Sequence, residues 1–114
     1  MKNCLTILLF SLLSCTTSDK EKQQLSTDKM KVIIWQLMQA DEYYTRASLV
    51  DSTMIINKKN IQLYQQIFDL NKVSSVQFYN TIDYLQKHPI QFKVVMDSVT
   101  ELSKREKLVP IVPQ

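Results

Sequence analysis

The chain has 114 residues, 22% of them charged, a formal net charge of +3 and not one glycine. That length holds a single domain, and so small a charge gives no argument for a nucleic-acid partner. Without glycine there is no glycine-rich phosphate loop; a zinc site of the usual kind needs three or four Cys, His or carboxylate ligands, and the sequence offers no such cluster around its one histidine, His88.

In chain order, the first feature is a leader. Lys2 supplies a positive start, and residues 5–13 are a short apolar run centred on Leu8, Leu9 and Phe10. The run is about half of the roughly 20 residues that a membrane-spanning helix needs, which fits a secretory signal instead. It ends in Leu12-Leu13-Ser14-Cys15. This stretch resembles a lipobox, at which signal peptidase II cuts between Ser14 and Cys15 and leaves the cysteine acylated. The alternative is an ordinary signal peptide cut elsewhere, with Cys15 incidental. On the lipobox reading residues 1–14 are removed and Cys4 leaves with them. No pair of thiols then remains for a disulfide. Each buried methylene contributes about 0.8 kcal/mol, so two or three acyl chains make a lasting membrane anchor.

Residues 15–25 read as a lipidated tether, because the run is polar and lacks apolar periodicity. Asp19 and Glu21 sit shortly after the cysteine, interleaved with Lys20 and Lys22. They resemble in part the surface-export signal of Bacteroidota lipoproteins. Thr16 rather than Asp after the cysteine is compatible with sorting to the outer membrane.

Residues 26–109 read as the helical domain. A first helix starts near Thr27 or Asp28, either of which can cap free amides. Met30, Ile33, Ile34, Leu37, Tyr44 and Ala47 share one face at helical spacing, interrupted by Asp41. Val32, Trp35 and Met38 lie off that stripe, so the helix is apolar on more than one side and belongs at the centre of a small bundle. It fades between Ala47 and Ser52. A second helix is predicted over residues 53–69, with Ile61, Tyr64 and Phe68 on one stripe, Ile67 beside it and residues 57–60 in water. Asn71 can take the left-handed capping conformation there in place of glycine.

Ser74-Ser75-Val76-Gln77 is a capping box, and Val73 and Phe78 are placed to staple its start. The third helix runs from 75 to about 87 and buries Phe78, Ile82 and Leu85. His88-Pro89 ends it, since a residue before proline is pushed out of helical geometry. Pro89 suits the first position of a fourth helix, which buries Phe92, Val95, Met96, Val99 and Leu102. Residues 110–114 read as a short extended tail. The expected fold is therefore all-α, a small bundle of three to four short helices.

Chemistry is hard to find in this sequence. His88 stands alone at a helix junction, where a cap or surface role is commoner than general-base work, and a base needs an orienting partner and a nucleophile. Asp41, Glu42, Asp69, Asp83, Asp97 and Glu101 have no reason in the sequence to converge. Trp35, Tyr43, Tyr44, Tyr64, Tyr79 and Tyr84 could line a groove, although ring burial with a wet hydroxyl is the more ordinary use of tyrosine. No metal or cofactor is expected.

Phe78, Thr81, Tyr84, Leu85 and Pro89 have the spacing F-x2-T-x2-Y-L-x3-P. With the lipobox, Asp28-Lys29-Met30 and residues 64–68, this resembles short Bacteroidota lipoproteins containing the domain of unknown function 4296, over about residues 27–105. Thr81 stands where that family usually has Ser, Leu85 where it has a second aromatic, His88 where it has Asn, and Gln36 where an acid is expected. The resemblance implies an envelope lipoprotein with a small helical domain and implies no activity. The expected function is a non-enzymatic binding or accessory module, anchored to the outer membrane through Cys15 and with an envelope protein as possible partner. A structural spacer or assembly factor is the second expectation and a hydrolase a remote third.

Overall fold

A computed structural model describes residues 23–107; the leader, Ser14, Cys15 and the tail at 110–114 lie outside the described residues. Among the described residues there are five helices and no strand: α1 Thr27–Val50, α2 Thr53–Ile56, α3 Lys59–Leu70, α4 Ser75–Gln86 and α5 Pro89–Lys107. The all-α expectation holds. The helix count rises because the predicted second helix is two.

The central element is α1. Its cap is Ser26, one residue before the predicted start: extended backbone there lets the hydroxyl accept from the Lys29 amide at 3.2 Å. Asp28 in the first turn favours the positive end of the helix dipole. It pairs with Lys31 at 2.9 Å, and that hydrogen bond holds its carboxyl below the usual range. Met30 and Ile33 are fully buried, with Ile34 and Leu37 half-buried beside them. The second apolar side belongs to Trp35. It packs with α5, and its indole N–H donates to the Glu106 carboxylate. Thus α1 is apolar on two sides because α3 lies on one and α5 on the other.

The junctions show why the elements end where they do. Asp51 caps α1 and then accepts from the Thr53 hydroxyl (2.7 Å) and amide (2.9 Å), bonds that lower its pKa and begin α2. The expected helix over 53–69 breaks after Ile56, and Lys58 adopts a left-handed conformation with φ 49°. Residues 57–60 carry no apolar side chain to hold a turn against the core, and asparagine side chains compete for backbone groups. Ile61, expected on the buried stripe, is exposed, whereas Phe68 is buried and Tyr64 half-buried. Tyr64 donates to Asp41 on α1. Burial, then that carboxylate, pushes its pKa up to about 12.

At the end of α3 the left-handed residue is Lys72, φ 57°, not Asn71. The amide of Val73 bonds the Phe68 carbonyl at 3.0 Å and the amide of Lys72 bonds that of Asp69 at 3.1 Å, a Schellman closure. Asn71 stays helical because its side chain works elsewhere. Its amide donates to the Ile67 carbonyl (2.8 Å) and to the side-chain oxygen of Gln36 (2.6 Å), which ties α3 to α1.

Ser74 caps α4 as expected, accepting from the Gln77 amide at 3.0 Å, and Val73 and Phe78 are both buried around it. The Gln77 side-chain amide, which a full capping box turns back toward Ser74, donates instead to the Gln23 carbonyl at 3.4 Å. The helix ends on its own hydrogen bonds at Lys87 and His88, and Pro89 opens α5 with the Phe92 amide bonded to the His88 carbonyl at 3.0 Å. Val95 and Val99 are buried, with Phe92, Met96 and Leu102 half-buried on the same stripe. The core joins α1, α3, α4 and α5 through Met30, Ile33, Phe68, Val73, Phe78, Leu85 and Val95, and the Phe68 and Phe78 rings meet at 5.3 Å.

Candidate functional site

The site begins with one hydroxyl. Thr81 is 1% exposed and sits inside α4. Its hydroxyl donates to the Gln77 carbonyl one turn back, at 2.8 Å, and accepts from the Leu25 amide at 3.0 Å. Both bonding directions are used, and residues 23–26 are thereby strapped across the start of the bundle. The tether was expected to run to residue 25. Leu25 instead packs against the core, since it is the one apolar residue in a polar stretch. That isolation was a usable signal.

Below the strap lies a groove of about 380 Å³, within the size range of small-ligand sites. Met30, Leu85 and Val95 form its floor, Leu25, Tyr84, Ile90 and Val94 its apolar walls, and Gln24, Gln91, Ser26, Thr27 and Thr81 its polar part. Ile90 is 83% exposed and Val94 51%. No acidic or basic side chain lines the groove. A wider hollow on the other side of the strap does carry charge, from Asp28 and Lys29.

Of the motif residues, Phe78 is core, Thr81 holds the strap, Tyr84 is groove wall, Leu85 is groove floor and Pro89 is the first residue of α5. His88 is exposed; its ring stacks on Tyr84 at 3.9 Å, and its Nδ1 bonds the Tyr84 carbonyl at 2.7 Å. A carbonyl only accepts, so Nδ1 carries the proton in that contact. His88 thus braces the groove wall. Gln36, placed where an acid is expected, accepts from Asn71, a bond an acid would accept equally.

The other candidates do not converge. Glu42 pairs with Arg46, Asp83 with Lys87 and Asp97 with Lys93, each one helical turn apart, and Asp69 accepts from Gln65. Asp97 holds the Lys93 ammonium above its ordinary pKa. Of the six aromatics considered, Tyr84 alone lines the groove, while Tyr43 and Tyr79 are exposed elsewhere. Among the described residues no three His, Cys, Asp or Glu side chains could hold a metal ion, and no helix is long and apolar enough to cross a membrane. The groove residues Gln24, Ile90, Gln91 and Val94 escaped sequence reading, because they come together from opposite ends of the chain.

The geometry can hold an uncharged, largely apolar group. Its hydroxyls are those of Ser26, Thr27, Thr81 and Tyr84, and that of Thr81 is engaged both as donor and as acceptor. Comparison with curated proteins found no match, and comparison with solved structures found none either. Comparison with known families matched residues 22–107 to a domain of unknown function, DUF4296. The match spans most of the chain, including the strap, the groove and all five helices, and the chain belongs to the DUF4296 family.

Proposed function

We propose that this protein is a lipoprotein of the cell envelope, held in the outer membrane by an acylated Cys15, whose helical domain is a non-enzymatic binding module. The observation that carries the binding role is the uncharged groove under the strap, with Ile90 and Val94 exposed at its wall. The anchor is supported by Leu12-Leu13-Ser14-Cys15 after a short apolar run. The two parts are adjacent in the chain, since the strap directly follows the tether.

Replacing Cys15 with Ala should abolish incorporation of labelled fatty acid and leave uncut precursor; unchanged labelling would remove the anchor from this reading. For the groove, native mass spectrometry of the protein extracted from its membranes should find a small non-covalent adduct. Val94→Gln should remove it without changing the circular dichroism spectrum. An adduct that survives the substitution places the ligand elsewhere.

A second reading, a spacer or assembly factor of an envelope complex, is favoured by a different feature. Leu49 and Val50 at the far end of α1, and Ile55 and Ile56 in the adjoining α2, are 84%, 91%, 57% and 74% exposed. A single stoichiometric protein partner, lost on Leu49→Ser and Ile56→Ser together, with no small adduct, would replace the first reading by this one.

A further inference from the structure

The groove points to one kind of occupant. Nothing in its lining would balance an ionised ligand, although 22% of the chain is charged. Its floor is apolar, and its polar groups are all neutral: the amides of Gln24 and Gln91 and the hydroxyls of Ser26, Thr27, Thr81 and Tyr84. It also lies where the chain departs toward Cys15. Residues 15–22 intervene, and eight residues span at most about 28 Å. An anchored Cys15 therefore keeps the groove within about one bilayer thickness of the membrane surface.

We infer that the groove takes an acyl chain of a bilayer phospholipid. The aliphatic part lies on Met30, Leu85 and Val95, and the ester carbonyl accepts from the amides of Gln24 and Gln91. This inference rests on the proposed anchor. An acyl chain moving from bilayer to groove exchanges one apolar medium for another, so the hydrophobic gain is small. Occupancy comes from supply: a short tether holds the site at a millimolar-scale effective concentration against the membrane. Ile90 and Val94, exposed beside the opening, can enter the boundary between headgroups and chains as interfacial apolar residues do. The opposite end of α1 is about 36 Å away by helical rise and is at least as apolar. It is a built-in control for mere partition of exposed apolar surface.

The test uses the full chain purified from its membranes and placed in phosphatidylethanolamine–phosphatidylglycerol vesicles. A trace of the phospholipid carries a photoactivatable diazirine in its acyl chain, so adducts report bilayer lipid and not the chains on Cys15. After illumination and trypsin, adducts should concentrate on residues 88–93 and 94–104, not on residues 47–58. A polar side chain turned into an apolar site costs enough for Val94→Gln to lower groove adducts about tenfold. Labelling of residues 47–58 as heavy as that of the groove, or groove labelling unchanged by Val94→Gln, overturns the inference, as does an unlabelled groove. Intact mass of the same sample separates the two failures. An unlabelled groove on acylated protein removes the acyl-chain assignment alone. A Cys15 without acyl chains removes the anchor, and with it the reason for the groove to meet a bilayer.

Discussion

The two ends of α1 have similar apolar content and opposite fates. In its first turns Met30 and Ile33 are fully buried and Trp35 is 9% exposed; at its end Leu49 and Val50 are 84% and 91% exposed. Nothing in the residue types separates them. What differs is company. The first half of α1 is enclosed by the strap, α3, α4 and α5, whereas α5 reaches Trp35 with its last turn, through Glu106. Beyond that point α1 continues to Val50 with the short α2 and part of α3 against it. Apolar sequence therefore states a demand for burial, and the lengths of the neighbouring helices decide where that demand is met.

That contrast can be broken at its strongest point by Phe78→Ala. The ring lies in the core against Phe68, and its removal should cost about 3–5 kcal/mol through lost burial and a cavity. A domain of this size has little more than that in reserve, so thermal unfolding by circular dichroism should show a variant unfolded or nearly so. If it melts like the parent, Phe78 is not core and the enclosed end of α1 has been misjudged.

Thr81→Val tests the strap. It keeps the shape and removes the acceptor for the Leu25 amide, which should cost about 1–3 kcal/mol. The Leu25 amide should then lose its protection in hydrogen exchange. Thr81→Ser keeps the hydroxyl and should retain that protection. Equal protection in all three proteins would mean that the strap is held by something other than Thr81.

Smaller still is Ser74→Ala. It removes the cap of α4 and should lower stability by about 1 kcal/mol, read as a modest fall in melting temperature with the fold intact. At the open end of α1 and in the adjoining α2, Leu49→Ser and Ile56→Ser should each change stability by no more than about 0.5 kcal/mol. A loss approaching that of Phe78→Ala would show that the far end is packed in solution, and the contrast between the two ends would fall.

Much of the fold was legible locally because its signals are local. Ser74 with Val73 and Phe78, Pro89 after His88, and the stripe from Phe92 to Leu102 each lie within a few residues, and each marks a real boundary or buried face. The errors have the same origin in reverse. Asn71 is the better left-handed residue by type, yet Lys72 takes that conformation, because the Asn71 side chain is needed by Ile67 and Gln36, the latter 35 residues away. The break at Lys58 also has no strong local mark in a chain without glycine.

By itself, then, the sequence determined the all-α class, most helix ends and the stripes on α4 and α5, because periodicity and capping are properties of neighbouring residues. The motif Phe78, Thr81, Tyr84, Leu85 and Pro89 was equally visible as a pattern. Only the tertiary structure decided what the pattern does. Thr81 is an ordinary mid-helix threonine until Leu25, 56 residues earlier, is laid against it. The groove then forms between Gln24 at one end of the chain and Ile90, Gln91 and Val94 toward the other. A cavity is bounded by residues that share space and not sequence, and periodicity carries no information about which distant segments will meet.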